Sequence, residues 1–314
     1  MAQEVAIVGA GLVGRAWAVV FARAGWTVRV FDAAPAAAEA APRLIRAGLD
    51  ELARHGLADD PAGAAARVTV APSLEAAVAG VDLVQESLPE DEAVKRRVFA
   101  ALDAAAPRDA ILASSTSSIV ASRFTEGLAG RARCLIAHPV NPPHLVRLVE
   151  LCGAPWTAPA IVARARALYE SVGQVPVEIR REVEGFVLNR LQSAVLAEAL
   201  RLVEDGVISP HDLDRTMKDG LGQRWSFLGP FATIELNAPG GIADYARRYG
   251  PFYRSLAADP PAPAVWDEAN VARVLAEWGE APDAETVAEK SAWRDRRLAA
   301  LRAHQNGQPE EQDL

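Results

Sequence analysis

"EVAIVGAGLVGRAWAVVFARAGWTVRVFD", residues 4–32, decides the fold. Val5, Ala6, Ile7 and Val8 form an unbroken apolar run, the pattern of a strand buried on both faces. Gly9, Gly11 and Gly14 follow at once, then a helical stretch, "RAWAVVFARAG", and a second strand, "TVRVFD", that ends in Asp32. A strand, glycine turn, helix and strand in this order form a dinucleotide-binding unit. Gly9 lets the chain turn, Gly11 lets the backbone approach a pyrophosphate, and Gly14 lets the helix pack closely on the strand. The helix start, with the amides of Leu12 and Val13, offers donors and a partial positive charge to the phosphates. Asp32 suits a ribose 2′-hydroxyl and would repel a 2′-phosphate, while Ala33 and Ala34 supply no arginine to hold one. The expected cofactor is therefore NAD rather than NADP.

Outward from this unit the alternation continues. Helical patterns over about 35–56 and 61–66 precede the strand "RVTVA", the short helix "SLEAAVAG" and the strand "VDLVQESL". "EDEAVKRRVFAALDAAAP" is amphipathic, with Phe99 and Leu102 on one face. "AILASST", "RCLIAHPV" and "LVRLVELC" read as further strands. Repeated β-α alternation predicts an α/β fold with a Rossmann-type, doubly wound parallel sheet. The pattern changes near residue 180. "GFVLNRLQSAVLAEALRLVEDG" reads as one long helix with Gly206 suited to its C-cap, and the rest is helical and loop-rich. Pro260, Pro261 and Pro263 interrupt it, and the last ten residues read as a polar, frayed tail. Two domains are expected: residues 1–183, binding NAD, and residues 184–314, all-α, for substrate and dimerisation.

Composition narrows the function. A net charge of −8 over 314 residues disfavours nucleic acid and anionic membranes as partners. No stretch approaches the roughly 20 apolar residues of a membrane span. No targeting segment is evident, and Cys134 and Cys152 read as reduced thiols, so a cytoplasmic location is expected. Neither cysteine lies in a metal-ligand pattern, so no metal is expected.

The segment "AHPVNPPHLVRLVEL", residues 137–151, carries two of the five histidines and then one acid. His138 falls at the C-terminal end of a strand, where open α/β sheets place their ligands. Glu150 follows a return segment, and a turn at the prolines would fold it back onto the imidazole. A carboxylate on one ring nitrogen selects the tautomer and leaves the other nitrogen to take a proton. Beside a nicotinamide cofactor, that pair is equipped to oxidise an alcohol.

The glycine turn, "PEDEAVK", "SSTSS", "HPVNPP…E" and "GFVLNR" together resemble, in order and spacing, the 3-hydroxyacyl-CoA dehydrogenase family over nearly the whole chain. "GLVGRAWAVVF", "LVEDGVISPHDLD", "GLGQRWSFLGP" and "WRD" at 293–295 resemble the branch with lambda-crystallin and L-gulonate 3-dehydrogenase, near the bacterial L-carnitine dehydrogenases. The resemblance implies His138 as general base and Glu150 as its orienting partner. It implies that Ser117 bonds the reacting oxygen, that Asn189 helps polarise it, and that Glu90, Lys95 and Asn141 contact the cofactor. It also implies a homodimer, as does the long, apolar helix after residue 185.

The expected reaction is NAD-dependent oxidation of the 3-hydroxyl of a small hydroxy acid, with L-gulonate giving 3-dehydro-L-gulonate as the leading case. An acyl-CoA would need basic residues for its phosphates, and the helical stretch at 35–66 offers only Arg43, Arg46 and Arg54 there. L-carnitine would need an aromatic or acidic pocket for its ammonium, for which Trp225 and Tyr245 are candidates. A crystallin-like structural role is the alternative of another class. Arg224, among Leu221, Trp225, Phe227 and Leu228, is expected in a partly buried loop. An unpaired cation there is costly, so the substrate carboxylate is its expected partner.

Overall fold

The computed structural model describes residues 3–309. The chain divides into two compact units: residues up to Asn189 together with those from Val287 on, and Arg190–Thr286.

The first unit is built on eight strands. They are β1 (Glu4–Val8), β2 (Thr27–Phe31), β3 (Val68–Val70), β4 (Leu83–Glu86), β5 (Ile111–Ser114), β6 (Cys134–Pro139), β7 (Leu148–Gly153) and β8 (Val175–Ile179). Their order in the sheet is β3-β2-β1-β4-β5-β6-β7-β8. Neighbours are parallel except β6 and β7, which run antiparallel. The chain passes from β1 outward to β2 and β3, then back across β1 to β4. The order thus reverses beside β1, the place where open α/β sheets bind ligands at the strands' C-terminal ends.

The apolar run of β1 has its two-residue period satisfied on both sides. Val5 and Ile7 join a cluster with Trp17 and Phe21 of the helix Leu12–Arg23, whereas Ala6 and Val8 join one with Val84, Phe99 and Leu102. Helices on both faces make a sheet whose central strands must be apolar throughout.

Several elements are not evident in the sequence, among them a helix and an edge strand. The helix Pro159–Ser171 and the edge strand β8 both lie before residue 180. β8 contains Pro176 and lies at the sheet edge, where a missing amide is tolerated.

Among the described residues no strand follows Ile179. The long helix runs Leu188–Glu204, with Gly206 at φ +68° just beyond it. Asn189, expected in the second domain, groups with the first unit. So does the chain from Val287 on, because Leu298 and Ala299 of the helix Ala284–Asn306 pack on the β1 cluster. Packing of those side chains therefore brings back to the first unit a segment expected in the second. That helix also occupies the start of the expected frayed tail; residues 310–314 lie outside the described residues. None of the described helices is long and apolar enough to cross a membrane.

Candidate active site

The glycine turn closes as its residue types require. Gly9 has φ +104°, and a Cβ on it would lie 2.6 Å from the Ser87 carbonyl oxygen. A Cβ on Gly14 would lie 1.8 Å from the Gly9 carbonyl oxygen. Only hydrogen fits at either place. Asp32, one residue past β2, locks the turn: its Oδ2 accepts from the Ala10 amide at 2.7 Å and its Oδ1 from the Ala34 amide at 2.8 Å. Each oxygen keeps a lone pair for a ribose hydroxyl. Leu12 is 82% exposed at the helix start. This open cradle, bordered by amides and a fixed carboxylate, fits a dinucleotide.

His138 and Glu150 meet. They are register partners across β6 and β7, and opposed residues of an antiparallel pair carry their side chains on one face. His138 Nδ1 and Glu150 Oε2 are 2.8 Å apart, and both residues are buried. An ionised carboxylate only accepts, so Nδ1 carries the proton and Nε2 is the free base. Glu150 Oε1 accepts from the amides of Val187 at 2.9 Å and Leu188 at 2.8 Å, where the long helix begins. Burial pushes the Glu150 carboxyl up, but the bonds from His138, Leu188 and Val187 bring it below the ordinary range.

Those amides reach Glu150 through a tight turn. Gly185 has φ +74° and Phe186 φ +49°, an unusual conformation for a residue with a side chain. Phe186 is buried with its ring centroid 5.6 Å from that of His138, which keeps the turn in place. Neither Phe186 nor the two amides were identified from sequence; Gly185 was the only local signal. The second histidine of the segment, His144, has a buried Nδ1 without a partner among the described residues. Burial, with Arg23 adding to it against Asp295, lowers its pKa to about 4. It is neutral and faces no acid as close as Glu150 is to His138.

Ser117 and Asn189 also come together, through the Ser117 carbonyl: Asn189 Nδ2 donates to it at 2.8 Å. Glu90 was expected on the cofactor, yet its carboxylate gathers the loop after β5. It accepts from the amides of Ser117, Ser118 and Ile119 and from the hydroxyls of Thr116 and Ser118. Burial pushes this carboxyl up, while the Thr116 and Ser118 bonds and the Lys95 charge carry it below the ordinary range.

Lys95 departs further from its expected role. Its Nζ lies 3.1 Å from each Glu86 carboxylate oxygen, and both side chains are 0% exposed. An ammonium sealed this way is tolerable because it is paired with the carboxylate. Asn141 is exposed in the turn between β6 and β7. Cys134 and Cys152 are free, buried thiols that burial pushes up to about 12.

In the second unit, Arg224 belongs to the one-turn helix Gly222–Trp225 and is exposed; Trp225 is 41% and Phe227 72% exposed. The expected partly buried loop is not found, because these side chains have no covering layer. Burial therefore gives Arg224 no need of an anion. Its positive charge acts on Tyr245, whose hydroxyl lies 2.8 Å from that of Tyr253.

A family model described as 3-hydroxyacyl-CoA dehydrogenase, NAD binding domain, matches residues 4–183, and one for the C-terminal domain matches residues 185–284. A lambda-crystallin homologue of Bos taurus is 46% identical over 310 residues, covering 95% of each chain. An L-carnitine dehydrogenase of Streptomyces coelicolor is 39% identical over 312 residues, covering 98% of this chain and 97% of its own. A solved 5-formyl-3-hydroxy-2-methylpyridine 4-carboxylic acid 5-dehydrogenase, described as an NAD+-dependent dismutase, is 32% identical. It has a TM-score of 0.85 and covers 98% of this chain and 100% of its own.

Proposed function

The chain belongs to the 3-hydroxyacyl-CoA dehydrogenase family as an NAD-dependent 3-hydroxy acid dehydrogenase, and from that premise we propose that it oxidises the 3-hydroxyl of a small hydroxy acid, L-gulonate first among them. The observation that carries the reading is the buried 2.8 Å bond between His138 Nδ1 and Glu150 Oε2. Nε2 of His138 takes the hydroxyl proton, and the Glu150 carboxylate stabilises the imidazolium that forms. Bound NAD supplies the acceptor for the hydride that leaves the carbinol carbon. Ser117 donates to the reacting oxygen. Asn189 holds the Ser117 loop through one amide hydrogen and has a second for that oxygen. Gly9, Gly11, Leu12, Val13 and Gly14 would hold the cofactor, Asp32 would hold its adenosine ribose, and Asn141 would border its nicotinamide end. Arg224, exposed, is proposed as the partner of the substrate carboxylate because a guanidinium can hold one by two parallel bonds.

A second reading, oxidation of L-carnitine, is favoured by the kinship with L-carnitine dehydrogenases and by the aromatic stripe of Tyr245, Tyr249 and Tyr253 on the helix Gly241–Ala257. Aromatic faces attract a quaternary ammonium. The working form is a homodimer: Leu191, Leu196, Phe231, Leu236 and Phe252 are among many large apolar side chains exposed in the second unit. A cytoplasmic location fits the free thiols.

The deciding experiment measures NADH formation with L-gulonate, L-carnitine and 3-hydroxybutyryl-CoA. The highest kcat/KM should fall on L-gulonate. A preference for the thioester would overturn the small-acid reading, and a preference for L-carnitine would establish the second.

A further inference from the structure

Beneath the active-site loops lies a chain of hydrogen bonds whose direction can be deduced. Tyr169 is buried and its hydroxyl donates to Gln85 Oε1; burial also pushes the phenol up and keeps it protonated. Gln85 Nε2 lies 2.7 Å from Ser115 Oγ and 3.5 Å from the Ala137 carbonyl oxygen, which can only accept and so sets the amide's orientation. Trp17 Nε1, a donor only, lies 3.1 Å from the same Ser115 Oγ. Ser115 Oγ thus accepts twice, and its own proton goes to its remaining neighbour, Ser87 Oγ, at 2.9 Å.

Ser87 therefore accepts from Ser115, and its own proton has no acceptor among the described residues. Its position is informative. Ser87 directly follows β4, and its amide donates to the Val8 carbonyl oxygen at 2.7 Å. Its carbonyl oxygen is the atom a Cβ on Gly9 would strike. It is partly exposed and lies just past the C-terminal ends of β1 and β4, where open α/β sheets bind their ligands.

We propose that Ser87 is a cofactor-binding residue, donating its hydroxyl proton to an acceptor oxygen of the nicotinamide-side phosphate or ribose of NAD, and that Gln85 sets that direction. An oxygen-rich, largely acceptor segment is matched by a hydroxyl prevented from acting as an acceptor only. The oriented donor also needs no reorganisation when the ligand arrives.

The test is calorimetric titration of the full chain with NAD, ADP-ribose and AMP, which needs no turnover. Ser87→Ala should weaken NAD and ADP-ribose about three- to tenfold, the scale of one neutral hydrogen bond, and leave AMP within about twofold. An unchanged NAD Kd would overturn the proposal. Equal weakening of AMP would overturn it too, by tracing the loss to the adenosine end, as would an unaffected ADP-ribose, by tracing it to the nicotinamide. Gln85→Leu removes the donor to Ser115 and lets Ser87 turn its proton inward. NAD should weaken although Ser87 is intact, and the double variant should bind no worse than Ser87→Ala alone. Additive losses would overturn the role of Gln85. Should Gln85→Leu fail to fold, Gln85→Glu keeps the shape, makes Ser115 donate to the carboxylate, and should weaken NAD in the same non-additive way.

Discussion

Asn189 Nδ2 donates to the Ser117 carbonyl oxygen at 2.8 Å across 72 residues of sequence. The first turn of the helix Leu188–Glu204 is thereby tied to the loop after β5, while its Leu188 amide is tied to Glu150. One helix start thus braces both the hydroxyl-bearing loop and the residue that orients the base. Disturbing any of the three should be felt by the other two.

Removing the base tests the pair most directly. His138→Ala should lower kcat by about 10²–10⁴-fold, the usual scale of general base catalysis, while the Kd for NAD stays near that of the unaltered chain. A loss under about tenfold in steady-state assays would reject His138 as the base.

Glu150 makes a statement about stability and pH. Its carboxyl lies below the ordinary value in the folded chain. The stabilisation from its ionised form is therefore full above the unfolded value, about 4.3, and is lost as pH falls through the lower folded value. Thermal melts of Glu150→Gln should lie below those of the unaltered chain at neutral pH, with the gap closing in acid. A gap that is constant with pH would show that the carboxylate is not linked to folding as described.

Cofactor choice rests on Asp32. Asp32→Ala combined with Ala33→Arg should shift the ratio of kcat/KM from NAD toward NADP, since the repelling charge is replaced by one that can hold a 2′-phosphate. Efficient NADP turnover by the unaltered chain would contradict the role given to Asp32.

For Arg224, exposed in the second unit, the expectation concerns the substrate alone. Arg224→Met should raise KM for a 3-hydroxy acid well beyond any effect on NAD, with Arg224→Lys recovering part of the loss because an ammonium lacks the two-pronged geometry. An unchanged KM removes the carboxylate clamp.

Assembly follows from the exposed apolar side chains of the second unit. Light scattering at micromolar concentration should give twice the chain mass, and Leu191→Glu with Leu196→Glu should reduce it. A monomeric mass for the unaltered chain would refute the dimer.

The nucleotide turn was legible in the sequence because its parts act within one contiguous strand, turn and helix. Gly9 and Gly14 turn and pack as their spacing implies, and Asp32 ties the turn through the Ala10 amide. His138 and Glu150 were legible as candidates, but their meeting depends on the antiparallel register of β6 and β7, which pairs residues twelve apart. What the sequence could not show is where each buried polar group finds its partner. Lys95 is held by Glu86, and Glu90 by the Ser117 loop, partners that no spacing indicated. Val187 and Leu188 supply Glu150 from 37 and 38 residues away. Periodicity sets which face of an element is buried, whereas hydrogen-bond partners are chosen by which charged and polar groups packing forces out of water together. That choice belongs to the tertiary structure.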